Sequence, residues 1–267
     1  MAQRRASDVF VECLESEGVQ YVFGIPGEET LDLSESLAES SIEFVPVRHE
    51  QGGAYMADAY GRLTGRAGVC LGTLGPGATN LVTAVADAFL DRSPVVALTG
   101  QSDLERMHKE SHQYIDLIGI LRPVVKWNAR VSSPRIIPEV VRKAFKVAES
   151  EKPGATHLEL PEDVMAEQLD ASPLPRRAPV QPEPGPREMQ RAAELIDAAE
   201  RPIALVGNGA IRAGAGQALR AFVHTTGIPV AETFMAKGLV DSDDPHSLGT
   251  LGAQETEAGV RSSAHVA

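Results

Sequence analysis

Residues 68–90 read GVCLGTLGPGATNLVTAVADAFL, and their reading decides the fold. Gly68–Leu71 is a short apolar run of the kind that forms a buried strand. Between Gly72 and Gly77, three glycines and a proline leave bare backbone N–H and C=O groups facing a cleft. Asn80–Leu90 then takes up an apolar period of helical spacing. No Gly-Lys-Ser/Thr follows the glycines, so this is not a Walker A phosphate loop.

The same alternation extends in both directions. Tyr21–Phe23, Phe44–Val47, Val95–Leu98, His157–Leu160, Ile203–Val206 and Ile228–Val230 read as strands. Ala6–Glu17, Gln51–Thr64, Ile137–Ala148, Glu188–Ala199 and Gln217–Thr225 read as amphipathic helices. The sequence therefore predicts an α/β fold, a doubly wound parallel sheet covered on both faces. In such a fold, ligands gather at the carboxyl ends of the strands. Periodicity stops in SPLPRRAPVQPEPGPR, a Pro-rich polar stretch that reads as an extended linker. The expected organisation is a first domain over residues 1–170, a linker over 171–187 and a partial second α/β domain over 188–267. The chain stops at SSAHVA, where another strand begins to take shape, so it reads as a fragment.

Composition narrows the function. Hydrophobic residues make up 43% of the 267 and charged residues 23%, the ordinary globular range. A net charge of −12 repels phosphate backbones and argues against a general nucleic-acid binder. Cys13 and Cys70 are too few for a disulfide framework or a zinc knuckle, and as two buried thiols they suit a reducing cytoplasm. No apolar stretch approaches the roughly 18 residues of a membrane span, and the first residues carry no signal-peptide pattern.

Four other segments could carry chemistry. Gly24-Ile25-Pro26-Gly27-Glu28 follows a strand, either as a plain βα turn or as a turn that brings backbone up to a ligand. Arg48-His49-Glu50-Gln51 puts a carboxylate at a strand-to-helix junction. Glu50 there either complements the helix dipole or is a buried acid with a raised pKa, and the small residues Gly52, Gly53 and Ala54 favour burial. His108 and His112 are spaced to share a helix face, but no third ligand is evident, so no metal site is assigned to them. Gly207-Asn208-Gly209 begins like a dinucleotide fingerprint, but Arg212 stands where its third glycine belongs.

Taken together, VFGIPGEE, VPVRHEQGGAYMADAYGRLTGRAGVC, GTLGPGATNLVTAVADAFLDRSPVVALTGQ, HQYID, LRPVVKW and HLELPEDV resemble the thiamine-diphosphate-dependent 2-oxoacid enzymes of the acetolactate synthase large-subunit type. The likeness continues through RPIALVGNGAIRAG and GIPVAETFMAKGLVDSDDPHSLGTLG. Residues 1–170 resemble that family's pyrimidine-binding domain, and residues 188–267 resemble the first half of its central domain. The diphosphate-binding domain, with its Mg²⁺ site, has no counterpart in this sequence.

The resemblance implies a mechanism. In the family, a glutamate bonds N1′ of the cofactor's aminopyrimidine and favours the tautomer that takes the C2 proton, and Glu50 holds the matching position. A carboxyl in an apolar cleft prefers to be neutral and can then donate to that nitrogen. Pro26 and Gly27 would sit near the reactive face of thiamine diphosphate. Thr73, Pro76 and Asn80 would line the pyrimidine pocket, and Gln113 would point at the substrate. The implied reaction decarboxylates pyruvate and joins the resulting hydroxyethyl unit to a second 2-oxoacid. The implied active unit is a cytoplasmic homodimer or homotetramer. FAD is possible near Gly207 and Gly209 but not favoured. The alternatives are another 2-oxoacid decarboxylase or acetyltransferase of the superfamily, or a non-catalytic truncated or split subunit.

Overall fold

A computed structural model describes residues 4–109, 112–177 and 182–251. It divides into two compact units, residues 1–181 and 182–267. In the first, the elements in chain order are β1 (Arg4–Arg5), α1 (Ala6–Glu17), β2 (Tyr21–Gly24), α2 (Leu31–Ala38), β3 (Glu43–Pro46) and α3 (Glu50–Thr64). β4 (Gly68–Gly72), α4 (Pro76–Leu90), β5 (Val95–Gln101), α5 (Leu117–Leu121) and β6 (Trp127–Arg130) follow. α6 (Ile137–Glu149), β7 (Ala155–Pro161), α7 (Glu162–Ala166) and β8 (Gln168–Leu169) complete it.

Six strands form one sheet in the order β3-β2-β4-β5-β7-β6, and every pairing in it is parallel. Its central strands β4, β5 and β7 are buried along their whole length, which is why they read as continuous apolar runs. Their side chains alternate between two cores. Val69, Leu71, Val96 and Leu98 point to one face, where Phe10, Leu14 and Phe145 cover them. Cys70, Val95 and Ala97 point to the other, packed with Ala54 and Ala57 of α3 and Leu81, Ala84 and Val85 of α4. Small residues dominate that second layer, so α3 and α4 lie close to the sheet. Gly68 has no room for a side chain, because a Cβ there would collide with the backbone of Ala57. Burial pushes both the Cys13 and the Cys70 thiol up to about 12, and neither forms a disulfide.

The chain runs from β2 outward to β3, then returns past β2 to β4. The β2/β4 boundary is therefore a topological switch point, where loops diverge and leave a crevice at the strands' carboxyl ends. A buried ion-pair group ties the periphery together. Glu17 of α1 pairs with Arg142 of α6, and Arg176 reaches Glu149 at 3.0 Å. Residues 171–177 carry no helix or strand and are further held where Ser16 bonds the Leu174 carbonyl at 3.2 Å.

The second unit contains α8 (Pro186–Asp197), β9 (Ala204–Val206), α9 (Asn208–Arg212), α10 (Gly216–Thr226), β10 (Val230–Thr233) and β11 (Ser247–Leu251). Its strands form a parallel sheet in the order β11-β10-β9, over a core of Val206, Val223, Val230, Ala236, Leu239 and Val240. α8 begins at Pro186 rather than Glu188.

Some boundaries differ from the sequence reading. α4 starts at Pro76, not Asn80, because proline's fixed φ suits a first helical turn that needs no N–H from it. β10 covers Val230–Thr233 rather than Ile228–Val230, since Glu232 is held inside the unit by the backbone N–H groups of Leu239 and Val240, each at 2.9 Å. The β1–β8 pair is antiparallel, outside the parallel pattern the sequence predicts. The stretch SSAHVA lies outside the described residues.

Leu98 is fully buried in the middle of the sheet. Leu98→Ala should destabilise the protein by about 2–5 kcal/mol, the lost transfer energy plus the cavity. Urea unfolding checks this, and a loss under about 1 kcal/mol would mean that β5 is not central to the core.

Candidate functional site

Three strand ends meet at the switch point. β2 ends at Gly24, against β4: the Ile25 N–H donates to the Leu71 carbonyl at 3.3 Å. That contact leads the turn Pro26-Gly27 over the end of β4. Gly27 there has no space for a side chain, since a Cβ would sit 2.5 Å from Thr73 Cβ. Thr73 in turn donates its hydroxyl to Glu29 Oε2 at 2.7 Å. The β2 loop and the β4 loop are thus locked face to face.

β3 delivers the acid. The chain leaves it through His49, whose Nδ1 accepts the Gln51 N–H at 3.2 Å and caps α3. Glu50 is therefore the first residue of that helix, with its carboxyl at the free N–H end. It is only 8% exposed. Asn80 Nδ2, from α4, donates to Glu50 Oε2 at 2.9 Å. The other carboxyl oxygen, Oε1, lies beside Gly77, where a Cβ would stand 3.5 Å from it and 2.8 Å from Thr73 Cγ2. Gly77 leaves the approach to Oε1 clear of any side chain of its own.

Gln113 closes the group. It sits in the left-handed region at φ 55°, unusual for a residue other than glycine. Its carbonyl lies where a Cβ on Gly75 would come within 2.6 Å, and Gly75 itself has φ 51°. Only glycine satisfies both demands at position 75. Contacts thus bring Gly27, Thr73, Glu50, Asn80 and, through Gly75, Gln113 together beyond the ends of β2 and β4, with Pro26 and Pro76 next to them in the chain.

A supporting network escapes sequence reading. Gln101, the last residue of β5, is fully buried. Its Nε2 donates to the Ile115 carbonyl at 3.2 Å and to Glu159 Oε1 at 2.9 Å. Glu159, also fully buried, pairs through its other oxygen with Arg130 of β6. Asn128 donates to the Ile118 carbonyl at 2.8 Å, and Asp116 caps α5 by accepting the Gly119 N–H at 2.9 Å. Together these bonds hold the segment just after Gln113. No sequence signal announced it, because Trp127-Asn128-Ala129-Arg130 is half-buried with no apolar run.

Burial, the hydrogen bond with Asp103 and the charges of Asp103 and Glu29 push the Glu162 carboxyl up to about 7. His108 and His112 belong to no group of three possible metal ligands among the described residues. Among the described residues, the nearest atom to a Cβ on Gly207 is Thr233 Oγ1 at 3.9 Å and to one on Gly209 is an Arg212 guanidinium nitrogen at 3.8 Å, so no described backbone requires glycine at either position.

Fold and contacts together define an α/β protein with a parallel six-stranded sheet and a buried glutamate, Glu50, at its switch point. Comparison with known proteins makes the family specific. A family model described as "Thiamine pyrophosphate enzyme, N-terminal TPP binding domain" matches residues 4–120, and one described as "Thiamine pyrophosphate enzyme, central domain" matches residues 189–265. The chain belongs to the thiamine pyrophosphate enzyme family. It is 39% identical over 262 residues to the probable acetolactate synthase large subunit of Methanocaldococcus jannaschii, covering 95% of this chain and 44% of that protein. It is 41% identical over 263 residues to the acetolactate synthase of Arthrospira platensis, covering 94% and 45%. It is 40% identical over 265 residues to the acetolactate synthase of Mycobacterium bovis, covering 97% and 43%. The chain thus spans less than half the length of these relatives.

Two outcomes follow from the geometry. Gln101→Met removes the buried donor and leaves Ile115 O and Glu159 Oε1 unpartnered, which should cost about 1–3 kcal/mol. Amide exchange in residues 114–118 should quicken more than in β4, and equal exchange in both would show that Gln101 does not hold the segment. For Glu162, a folded value above the unfolded one means that the native state keeps a proton the unfolded chain loses. Its contribution is therefore complete below about pH 4.5 and is lost as pH rises to about 7. Thermal melts across that window should fall more steeply in the wild type than in Glu162→Gln, and parallel profiles would contradict the assignment.

Proposed function

We propose that this chain supplies the pyrimidine-binding half of a thiamine-diphosphate-dependent carboligase of the acetolactate synthase type. The observation that carries the reading is the Glu50 carboxyl. It is buried at the switch point, held on Oε2 by Asn80, with Oε1 beside Gly77 and, among the described residues, no hydrogen bond given to it. An aromatic ring bearing a basic nitrogen fits such a place, because one carboxyl oxygen remains to share a proton with it.

Thiamine diphosphate, when bound, supplies the electron sink that decarboxylation of a 2-oxoacid requires. The residues here have other tasks. Glu50 holds a proton at the ring nitrogen N1′, and the short reach from the first turn of α3 keeps its carboxyl in line. Asn80 fixes the carboxyl's rotation through Oε2. Thr73 is held by Glu29 and presents its methyl group toward the position of Gly77. Pro26 and Gly27 form the wall on the β2 side, and Pro76 starts α4 on the other. Gln113, pinned against Gly75, presents a side-chain amide to a 2-oxoacid carboxylate. Magnesium and the cofactor's diphosphate belong, on this reading, to the part of the relatives' length that this chain does not span. The HQYID and LRPVVKW segments support a flavin-free enzyme. A second copy of the chain completes the unit as a homodimer or homotetramer, working in the cytoplasm.

The test uses the protein purified from its source cells, given pyruvate, thiamine diphosphate and Mg²⁺. The expected product is 2-acetolactate, and Glu50→Gln should lower its rate by about 10²–10⁴-fold, with slowed exchange of the cofactor C2 proton. Acetaldehyde as the product would move the protein to the decarboxylase branch. Unchanged C2 exchange in Glu50→Gln would sink the assignment of Glu50.

A further inference from the structure

The second unit contains a side-chain group that the crevice does not use. His224 lies in the last turn of α10. Asp244 and His246 lie just before β11, on the loop that returns to the sheet. His224 Nε2 is 3.3 Å from Asp244 Oδ2, and His246 Nδ1 is 3.0 Å from Asp244 Oδ1. The two imidazole rings stand edge to face with centroids 5.6 Å apart. One donor atom from each of the three residues falls within a 4.8 Å span. Among the described residues this is the one such group of three.

We propose that His224, Asp244 and His246 form a binding site for a borderline divalent transition-metal ion, with Zn²⁺ as the representative. Two imidazole nitrogens and one carboxylate oxygen are the donors that such ions prefer over Mg²⁺ or Ca²⁺. Around a tetrahedral ion with bonds of about 2.0–2.2 Å, donors stand roughly 3.3–3.6 Å apart. Asp244 Oδ2 already lies at that distance from His224 Nε2, and its other oxygen, Oδ1, slightly closer to His246 Nδ1, so the carboxylate can meet the ion through one oxygen or both. The three donors lie within 4.8 Å of one another, so ring rotation brings them around the ion, and the fourth position is left to water.

The backbone holds these ligands in place. Val223, beside His224, is fully buried in the unit's core and fixes the end of α10. The His246 N–H donates to Asp244 Oδ1 at 2.8 Å, which sets the carboxylate's direction. The His246 carbonyl accepts the Val230 N–H at 2.9 Å and ties the loop to β10. An ion there would link α10 to the β10–β11 connection. The His224 side chain is 56% exposed, so the ion enters directly from solvent. This site lies wholly in the second unit, and its test does not depend on the reading of the Glu50 crevice.

The test is a titration of the 267-residue chain, free of any affinity tag, with Zn²⁺ alone, followed by calorimetry and by the histidine ring signals in proton NMR. One ion per chain should bind, shifting two ring spectra that are lost in His224→Ala and His246→Ala. Each of these variants should bind roughly a hundredfold more weakly. His224 is exposed, so His224→Ala should keep the wild-type circular dichroism. His224→Gln offers a second variant of closer size, and it should weaken binding likewise. The proposal is overturned by the absence of stoichiometric Zn²⁺ binding, or by binding that His224→Ala and His224→Gln leave unchanged.

Discussion

Burying the Glu50 carboxyl at the mouth of a parallel sheet sets the terms for everything around it. An isolated charge there costs several kcal/mol unless dipoles and hydrogen bonds offset it. Here the offset comes from two helices. Glu50 occupies the first turn of α3, and Asn80 reaches across from α4 to bond it. Both helices must start at the same level of the sheet for this to work. They do so because β3 and β4 flank β2 in register, Val22 opposite both Phe44 and Val69. The order of the strands thus determines whether the carboxyl has a partner.

Close approach is the second constraint. The β2 and β4 loops can face each other only because side chains are missing where they meet. Thr73 fills the space that a Cβ on Gly27 or on Gly77 would claim. Gln113 takes the space beside Gly75, and accepts a left-handed backbone to do so. That conformation costs on the order of 1–3 kcal/mol for a residue with a side chain. The buried Gln101–Glu159–Arg130 group just behind the segment is fixed enough to sustain it. The strained residue meets the buried acid's group through Gly75, as expected of a site organised for a ligand.

Much of this was legible in the sequence, for identifiable reasons. β4 and β5 are buried on both faces, so their apolar runs stand out, and the glycine loop after β4 advertises close approach. Glu50 was legible because it falls between a strand and a helix, among small residues. β6 was not, since Trp127-Asn128-Ala129-Arg130 is half-buried and mostly polar, with no apolar run to announce it. Its role depends on pairing with β7, a contact made by tertiary structure. Gln101 looked like a polar residue at the end of a strand, and only its burial reveals its partners. His224 and His246 show no joint signal, because their rings meet only when α10 and the β10–β11 connection pack. The start of α4 at Pro76 was hidden by glycines on either side of the proline, which read as loop.

The most direct measurement is a crystal structure of the protein with thiamine diphosphate and Mg²⁺ bound, read at a single distance. A Glu50 carboxyl oxygen is expected within hydrogen-bonding range, about 2.6–3.2 Å, of the aminopyrimidine nitrogen N1′, with Asn80 still bonded to the other oxygen. A pyrimidine ring bound elsewhere, or one facing Glu50 with no hydrogen bond between them, would contradict it.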